Sequence, residues 1–253
     1  MTAKFDTFAA LHVPGDPVIL FNIWDAGSAA VAEKAGARAI ATGSASVATA
    51  HGYDDAEALP IDLALANAAR VVRAVSLPVS IDFEGAYSTD PETAVANLAK
   101  LAATGAVGCN FEDQVIGADP RTVHPTADQA KRIAAMRAAV GPAFFINARI
   151  DLFITARPEA RDDAMVDAAL IRAHAYADAG ASGIFVPLLA DLRLLERFCR
   201  DCPLPVNFMA FPGGPSAKEV AEAGAARISH GPFPHMAALK SFEDAARGAF
   251  GGS

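Results

Sequence analysis

Three acids can meet at one point of this chain. Asp82 and Glu84 stand two residues apart at the end of the apolar run Val79-Ser80-Ile81, and Glu112 closes the next run, Gly108-Cys109-Asn110-Phe111. Residues two apart on a strand point to the same side, so the first pair shares a direction. Converging carboxylates repel unless they are protonated or bridged by a cation. Oxygen donors without His or Cys suit a hard ion, Mg²⁺ or Mn²⁺. Mg²⁺ keeps several waters, so some of these acids would reach it only through water. The competing reading makes them solvated strand ends or partners in structural salt bridges. Arg149 ends a further apolar stretch, Phe144-Phe145-Ile146-Asn147-Ala148. A guanidinium there needs a partner. It either forks onto a substrate carboxylate or enolate oxygen, or pairs with Asp151 or another acid.

Ser44, Ala45 and Ser46 can offer backbone N–H groups and hydroxyls to a carboxylate, although small residues at a strand end also serve packing. Gly43-Ser44-Ala45-Ser46 lacks the second glycine of a nucleophile elbow, which argues against a serine nucleophile. His230 follows the last apolar run and is a candidate substrate contact. His124 lies in a long polar segment, Gln114 to Pro125, that reads as a loop over the site and includes Asp119 and Pro120. The chain has three cysteines. Cys199 and Cys202 end an amphipathic stretch and run into Pro203, the wrong context for a redox pair, and no second ligand pair points to zinc.

The elements that position these residues follow from one recurring phrase. Ala35-Gly36-Ala37, Thr104-Gly105-Ala106, Ala179-Gly180-Ala181 and Ala223-Gly224-Ala225 each follow an Ala-rich stretch and lead into a short apolar run. Glycine takes the left-handed position past a helix end, and the chain then enters a buried strand. Repeated helix-Gly-strand joints mean repeated αβ units. Strands are predicted at Val18–Ile23, Ala39–Thr42, Val79–Phe83, Gly108–Glu112, Ala143–Arg149, Gly183–Val186, Val206–Met209 and Arg227–Ser229. Helices fall between them, as at Leu63–Val75, Pro91–Ala103, Ala127–Ala139 and Arg161–Ala179. This pattern predicts a closed (β/α)8 TIM barrel in a single domain, 1–253, with a doubly wound open sheet as the alternative. Barrel active sites lie at the C-terminal strand ends. Asn22, Ser44, Asp82, Glu112, Arg149, Asn207 and His230 all fall there. The tail from Gly248 to Ser253 is predicted to fray.

At 253 residues, with 53% hydrophobic residues, the chain can bury a large core. A net charge of −8 with scattered Lys and Arg argues against nucleic acid and anionic membranes as partners. No apolar run approaches the roughly 18 to 20 residues of a membrane span, and the first residues lack a signal-peptide core. The expected location is the cytoplasm.

The assembled motifs resemble the isocitrate lyase/phosphoenolpyruvate mutase superfamily, from about Val18 to Gly231. They are Asp82-Phe83-Glu84-Gly85-Ala86-Tyr87, Glu112-Asp113-Gln114, Asn147-Ala148-Arg149-Ile150-Asp151, and Ser44-Ala45-Ser46 followed by Gly52-Tyr53-Asp54-Asp55. The resemblance implies Asp82 as the direct Mg²⁺ ligand, with Glu84, Glu112 and Asp55 holding its waters. It implies Ser44, Ala45 and Ser46 on a substrate carboxylate, Arg149 on the 2-oxo acid end, and Asn207 at the mouth. It further implies a metal-stabilised enolate, and a homotetramer or homodimer with exchanged C-terminal helices, here about Pro234 to Ala249. The chain departs from the isocitrate-cleaving members. It has no Cys or Lys between Asp113 and Thr126, where they carry a Lys-Lys-Cys-Gly-His loop, and Leu188 replaces their Glu. The Lys- and Asn-bearing loop of the phosphonomutases is absent too. What remains is similar to oxaloacetate decarboxylase-like enzymes and substituted-malate lyases. That implies a carbon–carbon lyase or decarboxylase on a small 2-oxo or 2-hydroxy dicarboxylate. The alternatives are a phosphonate or phosphate-ester enzyme, or a non-catalytic 2-oxo-acid-binding barrel.

Overall fold

Eight parallel strands carry the site: β1 (Val18–Leu20), β2 (Ile40–Ala41), β3 (Val79–Asp82), β4 (Gly108–Glu112), β5 (Phe145–Arg149), β6 (Gly183–Phe185), β7 (Val206–Met209) and β8 (Arg227–Ser229). The computed structural model describes residues 2–118 and 121–251. The strands pair in the order β1-β8-β7-β6-β5-β4-β3-β2, and a parallel bridge between Ile23 and Thr42 brings the two ends together. The sheet is therefore a (β/α)8 barrel, not an open sheet. Five strands are shorter than the sequence predicts: β1 stops at Leu20, β2 spans only Ile40–Ala41, β3 stops at Asp82, β5 begins at Phe145 and β6 stops at Phe185.

Helices alternate with the strands: α1 (Thr2–Ala10), α2 (Ala26–Lys34), α3 (Ser44–Ala50), α4 (Ile61–Ala74), α5 (Pro91–Ala103), α6 (Thr126–Val140), α7 (Leu152–Thr155), α8 (Asp163–Asp178), α9 (Leu192–Asp201), α10 (Ala217–Glu222) and α11 (Phe233–Ala249). Several start at a side-chain cap. Asp25, Asp90, Asp162, Asp191 and Ser216 each accept a backbone N–H of the first turn. The four glycines of the recurring joint have φ of 97, 94, 96 and 93° at Gly36, Gly105, Gly180 and Gly224, as the phrase predicts. The tail is more ordered than expected, because α11 runs on to Ala249. Gly252 and Ser253 lie outside the described residues, as do Asp119 and Pro120 of the long loop. That loop begins as a small hairpin, with Gln114 bridged to Val123 and Val115 N–H donating to Thr122 O at 2.9 Å.

The pleat sorts side chains into two sets. Cys109 and Phe111 of β4, Ile146 and Ala148 of β5, and Phe208 of β7 point outward into the main core beneath the helices. Their neighbours at every second position point into the barrel: Asp82, Asn110, Glu112, Asn147, Arg149, Asn207 and Arg227. Gly108 faces inward as well, where a Cβ would meet the Phe145 carbonyl oxygen at 2.6 Å. The barrel interior is polar at mid-height. Asn147 Nδ2 donates to Asn110 Oδ1 at 2.8 Å and Asn207 Oδ1 at 3.1 Å, and Arg227 Nη2 donates to Asn110 Oδ1 at 3.2 Å. Among the described residues, no helix is long and apolar enough to cross a membrane.

The lower end of the barrel is closed by α1, an element the sequence reading did not assign. Phe8 of α1 packs edge-on against Phe145, with ring centroids 5.3 Å apart. His12 stacks on the same ring at 4.3 Å, and its Nδ1 lies 2.8 Å from the Phe8 carbonyl. Burial, aided by the charge of Arg227, pulls His12 down to about 3 from an ordinary 6.5. The unfolded chain therefore takes up this proton first. The stabilisation is complete above the unfolded value and is lost as pH falls from there toward the folded one. His12→Phe is expected to flatten the fall of the urea midpoint between about pH 7 and about pH 4.5. Equal slopes in variant and wild type would contradict this assignment.

Candidate active site

β3 delivers Asp82 to the barrel mouth, and three donors fix it. Ser44 donates from its backbone N–H at 3.0 Å and its hydroxyl at 2.9 Å to Oδ2, and Asn110 Nδ2 donates to Oδ1 at 3.2 Å. Thr42 Oγ1 accepts the Asp82 N–H at 2.9 Å. Beyond Asp82 the strand ends in a tight turn, where Glu84, Ala86 and Tyr87 have φ of 51, 66 and 57°. Left-handed backbone at non-glycine residues is costly and persists only when its surroundings enforce it. Here they do. Glu57 Oε1 accepts the Tyr87 N–H at 2.6 Å, and Arg132 Nη2 donates to Gly85 O and Ser88 O at 2.8 Å each. Glu84 completes a reciprocal clasp by accepting the Glu57 N–H at 2.9 Å. This turn corrects the sequence argument for Glu84. Glu84 is not extended, so it does not share the direction of Asp82 by strand pleat; its carboxylate turns toward the loop that bears Asp55 and Glu57. The acids still feel one another. Burial, then the charges of Asp82, Asp55 and Glu57, push Glu84 up to about 8 against the pull of the Glu57 N–H.

The clasp gives Glu57 a positioning role that the sequence reading missed. Glu57→Ala should lower turnover by roughly 10- to 100-fold, the usual cost of losing an outer partner at such a site. Glu57→Gln, which keeps an acceptor for the Tyr87 N–H, should restore most of it. Equal losses in the two variants would contradict the clasp.

Glu112 of β4 and Arg149 of β5 are register partners. Arg149 Nη1 lies 2.6 Å from Glu112 Oε2, and Arg149 Nε lies 2.6 Å from Asp151 Oδ1. Neither contact uses Nη2. Burial opposes the charge of Arg149, but Asp151 and Glu112 together hold it above its ordinary range. Burial pushes Glu112 up, and Arg149 opposes the shift. Asp113 secures the two strand ends. Its Oδ1 accepts the Asp151 N–H at 2.8 Å, and its Oδ2 accepts from Arg172 Nη1 at 2.9 Å and Tyr176 Oη at 2.8 Å. Arg172 also donates to the His124 carbonyl at 2.9 Å. His124 thus anchors the loop through its backbone.

These residues frame a cavity of about 160 Å³ at the barrel mouth, lined in part by Asn22, Ser44, Ala45, Asp55, Asp82 and Arg149. A dry void near 150 Å³ is known to hold benzene, so the space suits a ligand of about six heavy atoms. Not every candidate reaches it. Ser46 is buried, and its Oγ has no partner. Ala45 and Ser46 precede the first backbone bond of α3, from Val47 N–H to Gly43 O, so their N–H groups lack an intrahelical acceptor. Asn207 lies below the mouth in the polar layer, with Nδ2 donating to Ser229 Oγ at 3.1 Å. The His230 ring packs on Phe21 at 5.1 Å, and the His230 backbone N–H donates to Asn22 Oδ1 at 2.7 Å. Asn22 also donates to Thr42 O at 2.8 Å, which ties β1, β2 and β8 together at the rim. Asn22 lies at the strand end where the sequence places it; nothing in the spacing of Arg132 or Glu57 foretells their contacts.

The donor set fits a hard cation. It is all oxygen, and Glu84 sits where its own charge is opposed by burial and by three neighbouring acids. Among the described residues, no three His, Cys, Asp or Glu side chains converge closely enough to hold an ion between them. A cation with one direct carboxylate and further acids beyond its waters meets both observations.

The description "Phosphoenolpyruvate phosphomutase" belongs to a family model that matches residues 8–250. An uncharacterized protein of Mycobacterium tuberculosis is 34% identical over 95% of this chain and 88% of its own. The 2-methylisocitrate lyase of Escherichia coli is 27% identical over 78% of this chain and 70% of its own. The crystal structure of a candidate phosphonomutase from Burkholderia cenocepacia J2315 superimposes with a TM-score of 0.93 at 44% identity, covering 99% of both chains. A phosphonopyruvate hydrolase solved with oxalate and Mg²⁺ shares the fold, with a TM-score of 0.85 at 21% identity, over 100% of this chain and 89% of its own.

Proposed function

Because the chain belongs to the phosphoenolpyruvate mutase/isocitrate lyase superfamily, we propose that it is a Mg²⁺-dependent carbon–carbon lyase or decarboxylase. Its substrate on this reading is a small 2-oxo or 2-hydroxy acid, the dicarboxylates being those that the motifs imply. Superfamily members are Mg²⁺-dependent lyases, mutases and hydrolases of small carboxylates. The observation that carries the reading is the Glu112–Arg149–Asp151 bridge beside Asp82 on the cavity floor. It sets a fixed guanidinium next to an acid surplus, the arrangement that receives a developing enolate oxygen on one side and a cation on the other.

In this reading Asp82 holds the cation directly, and Glu84, Glu112 and Asp55 hold its waters. When bound, the cation supplies Lewis-acid polarisation of the 2-oxo group. Arg149 directs Nη2 at the substrate's acid end, kept in plane by its two carboxylates. The N–H groups of Ala45 and Ser46 receive the substrate carboxylate, and the Ser44 hydroxyl, which gives its proton to Asp82, would join them only by leaving that acceptor. Asn207 steadies the floor from below. His230 contributes its backbone to the rim, and a contact of its ring with substrate would require it to leave Phe21. Titration of the protein with oxalate, with and without Mg²⁺, tests the reading. Binding that needs both Arg149 and Mg²⁺ supports it; binding indifferent to Mg²⁺ counts against it.

The phosphate-ester alternative would use the loops after β7, Phe211 to Ser216, and after β8, Ser229 to Gly231, where many barrels bind phosphate. Here the His230 and Gly231 N–H groups are both given to Asn22 Oδ1. Competition of inorganic phosphate with oxalate would revive that alternative.

A second feature supports an oligomer with exchanged α11 helices. Ile19 and Phe21 point out of the barrel at β1, where an eighth helix would cover them, and Phe21 remains 56% exposed and Val31 of α2 68%. Phe21 and Val31 border an apolar groove of about 440 Å³. Meanwhile α11 buries only Pro234 and His235 and leaves Phe242 74% exposed. A partner copy's α11 laid in this groove would bury both surfaces. Light scattering should find a dimer or tetramer, and Leu239→Asp with Phe242→Asp should shift it toward monomer. A monomeric wild type would contradict the exchange.

A further inference from the structure

The cavity lining is of two chemical kinds. One is the polar set already described, with Asn22, Asn110 and Ser229. The other is a wall on the β5 to β8 side of the barrel, made by Ile154 from α7, Phe185 from β6, Pro187 after it, Met209 from β7 and Pro232 before α11. None of these side chains carries a hydrogen-bond donor. Among the described residues, Arg149 is the one cationic side chain in the lining, which also carries Asp55 and Asp82. The charge of Arg149 is already matched by Glu112 and Asp151. Arg149 marks the boundary between the two, its Cζ 5.9 Å from the centre of the Phe185 ring.

A carboxylate pressed against the apolar wall would lose its water and gain no partner, and a buried charge without a partner is strongly disfavoured. Asp55 and Asp82 would repel it as well. An alkyl or aryl group in the same place gains roughly 25 cal/mol for each Å² of apolar surface it buries. We propose that the substrate is a 2-oxo or 2-hydroxy acid with one acid end at Arg149 and an apolar far end against Ile154, Phe185 and Met209. This inference rests on the 2-oxo-acid reading of the site and narrows the substrate class away from acids that end in a second carboxylate. The cleavage it then allows is that of a 4-hydroxy-2-oxo acid: the 4-hydroxyl gives up its proton, the C3–C4 bond breaks, the apolar end leaves as an aldehyde, and the enolate left at Arg149 takes up a proton at C3.

The test compares two ligands of equal chain length with a short reference. With Mg²⁺ present, calorimetric titrations with pyruvate, 2-oxopentanoate and 2-oxoglutarate report the acid end, an apolar far end and a charged far end in turn. 2-Oxopentanoate should bind at least about tenfold tighter than 2-oxoglutarate. Ile154→Arg places a cation in the wall and should erase or reverse that ratio, and Met209→Lys does the same from β7 if the first variant fails to fold. If pyruvate binds but 2-oxoglutarate matches or exceeds 2-oxopentanoate, the apolar far end is overturned while the 2-oxo-acid site stands. An unchanged ratio in both folded variants overturns the assignment of the wall. If pyruvate itself does not bind, the parent reading falls and this inference falls with it.

Discussion

Asp82→Ala should reduce turnover by about 10³-fold or more while leaving the barrel folded. The magnitude follows from removing a group that stabilises charge developing in the transition state, where single deletions already cost about 10²- to 10³-fold. On the proposed reading Asp82 is the direct ligand of the cation, so its loss removes the cation's contribution as well. The structural cost is smaller. Ser44 and Asn110 lose an acceptor at a half-buried position, which is worth about 1–3 kcal/mol. Asp82→Asn separates the two effects. It keeps an acceptor for Ser44 but removes the negative charge, so its stability should approach wild type while its activity stays near that of Asp82→Ala. Turnover within about tenfold of wild type in either variant would remove Asp82 from the chemistry.

Arg149→Met should strike both stability and activity. It leaves Glu112 and Asp151 buried without their cation, and breaking a buried ion pair by removing one partner costs about 3–5 kcal/mol. For a chain of this size that is a fall in Tm of roughly 2–4 °C for each kcal/mol. The loss has a definite pH sign. Burial already raises Glu112 and Asp151, and Arg149 is what opposes the rise. Without it both acids favour protonation in the folded state, so the variant should regain stability as the pH is lowered through the carboxylate range. Arg149→Lys restores a charge but not the fork. It should recover much of the stability and remain at least about 10²-fold below wild type in turnover. A Lys variant with near-normal turnover would show that a point charge is sufficient and that the planar geometry is not used.

What could be read from the sequence was whatever depends on local period and spacing. The helix-Gly-strand joints gave the αβ repeat, and the joint glycines have the backbone that the phrase requires. The pleat sent Asp82, Glu112 and Arg149 into the barrel because each lies an even number of residues from its inward neighbours. Contacts between distant segments were not legible. The reciprocal clasp of Glu57 and Glu84 joins residues 27 apart, and the left-handed turn that makes it possible occupies Glu84, Ala86 and Tyr87, none of which signals positive φ as glycine does. Arg132 reads as one more charge on the polar face of α6, yet it holds the β3 turn. Arg227 reads as the start of a strand, yet it is buried at the barrel's centre and pulled down to about 10 by that burial. The His230 reading assumed that a strand-end side chain faces the mouth, and the hydrogen bond of its N–H to Asn22 accompanies a ring turned toward Phe21 instead. The roles of Ser44 and Asn22 depend on which strands meet across the barrel, a fact of topology that no single segment contains.

The central claim is metal-dependent carbon–carbon bond cleavage at the Asp82–Arg149 site. Its most direct test is NMR observation of 2-oxo acid release from a panel of oxaloacetate, substituted malates and 4-hydroxy-2-oxo acids with an alkyl far end, run with Mg²⁺, with EDTA and with Asp82→Ala. The account predicts release of a 2-oxo acid from at least one member of the panel with Mg²⁺, abolished by EDTA and by Asp82→Ala. Release that persists in EDTA, or silence across the panel while oxalate still binds, would contradict it.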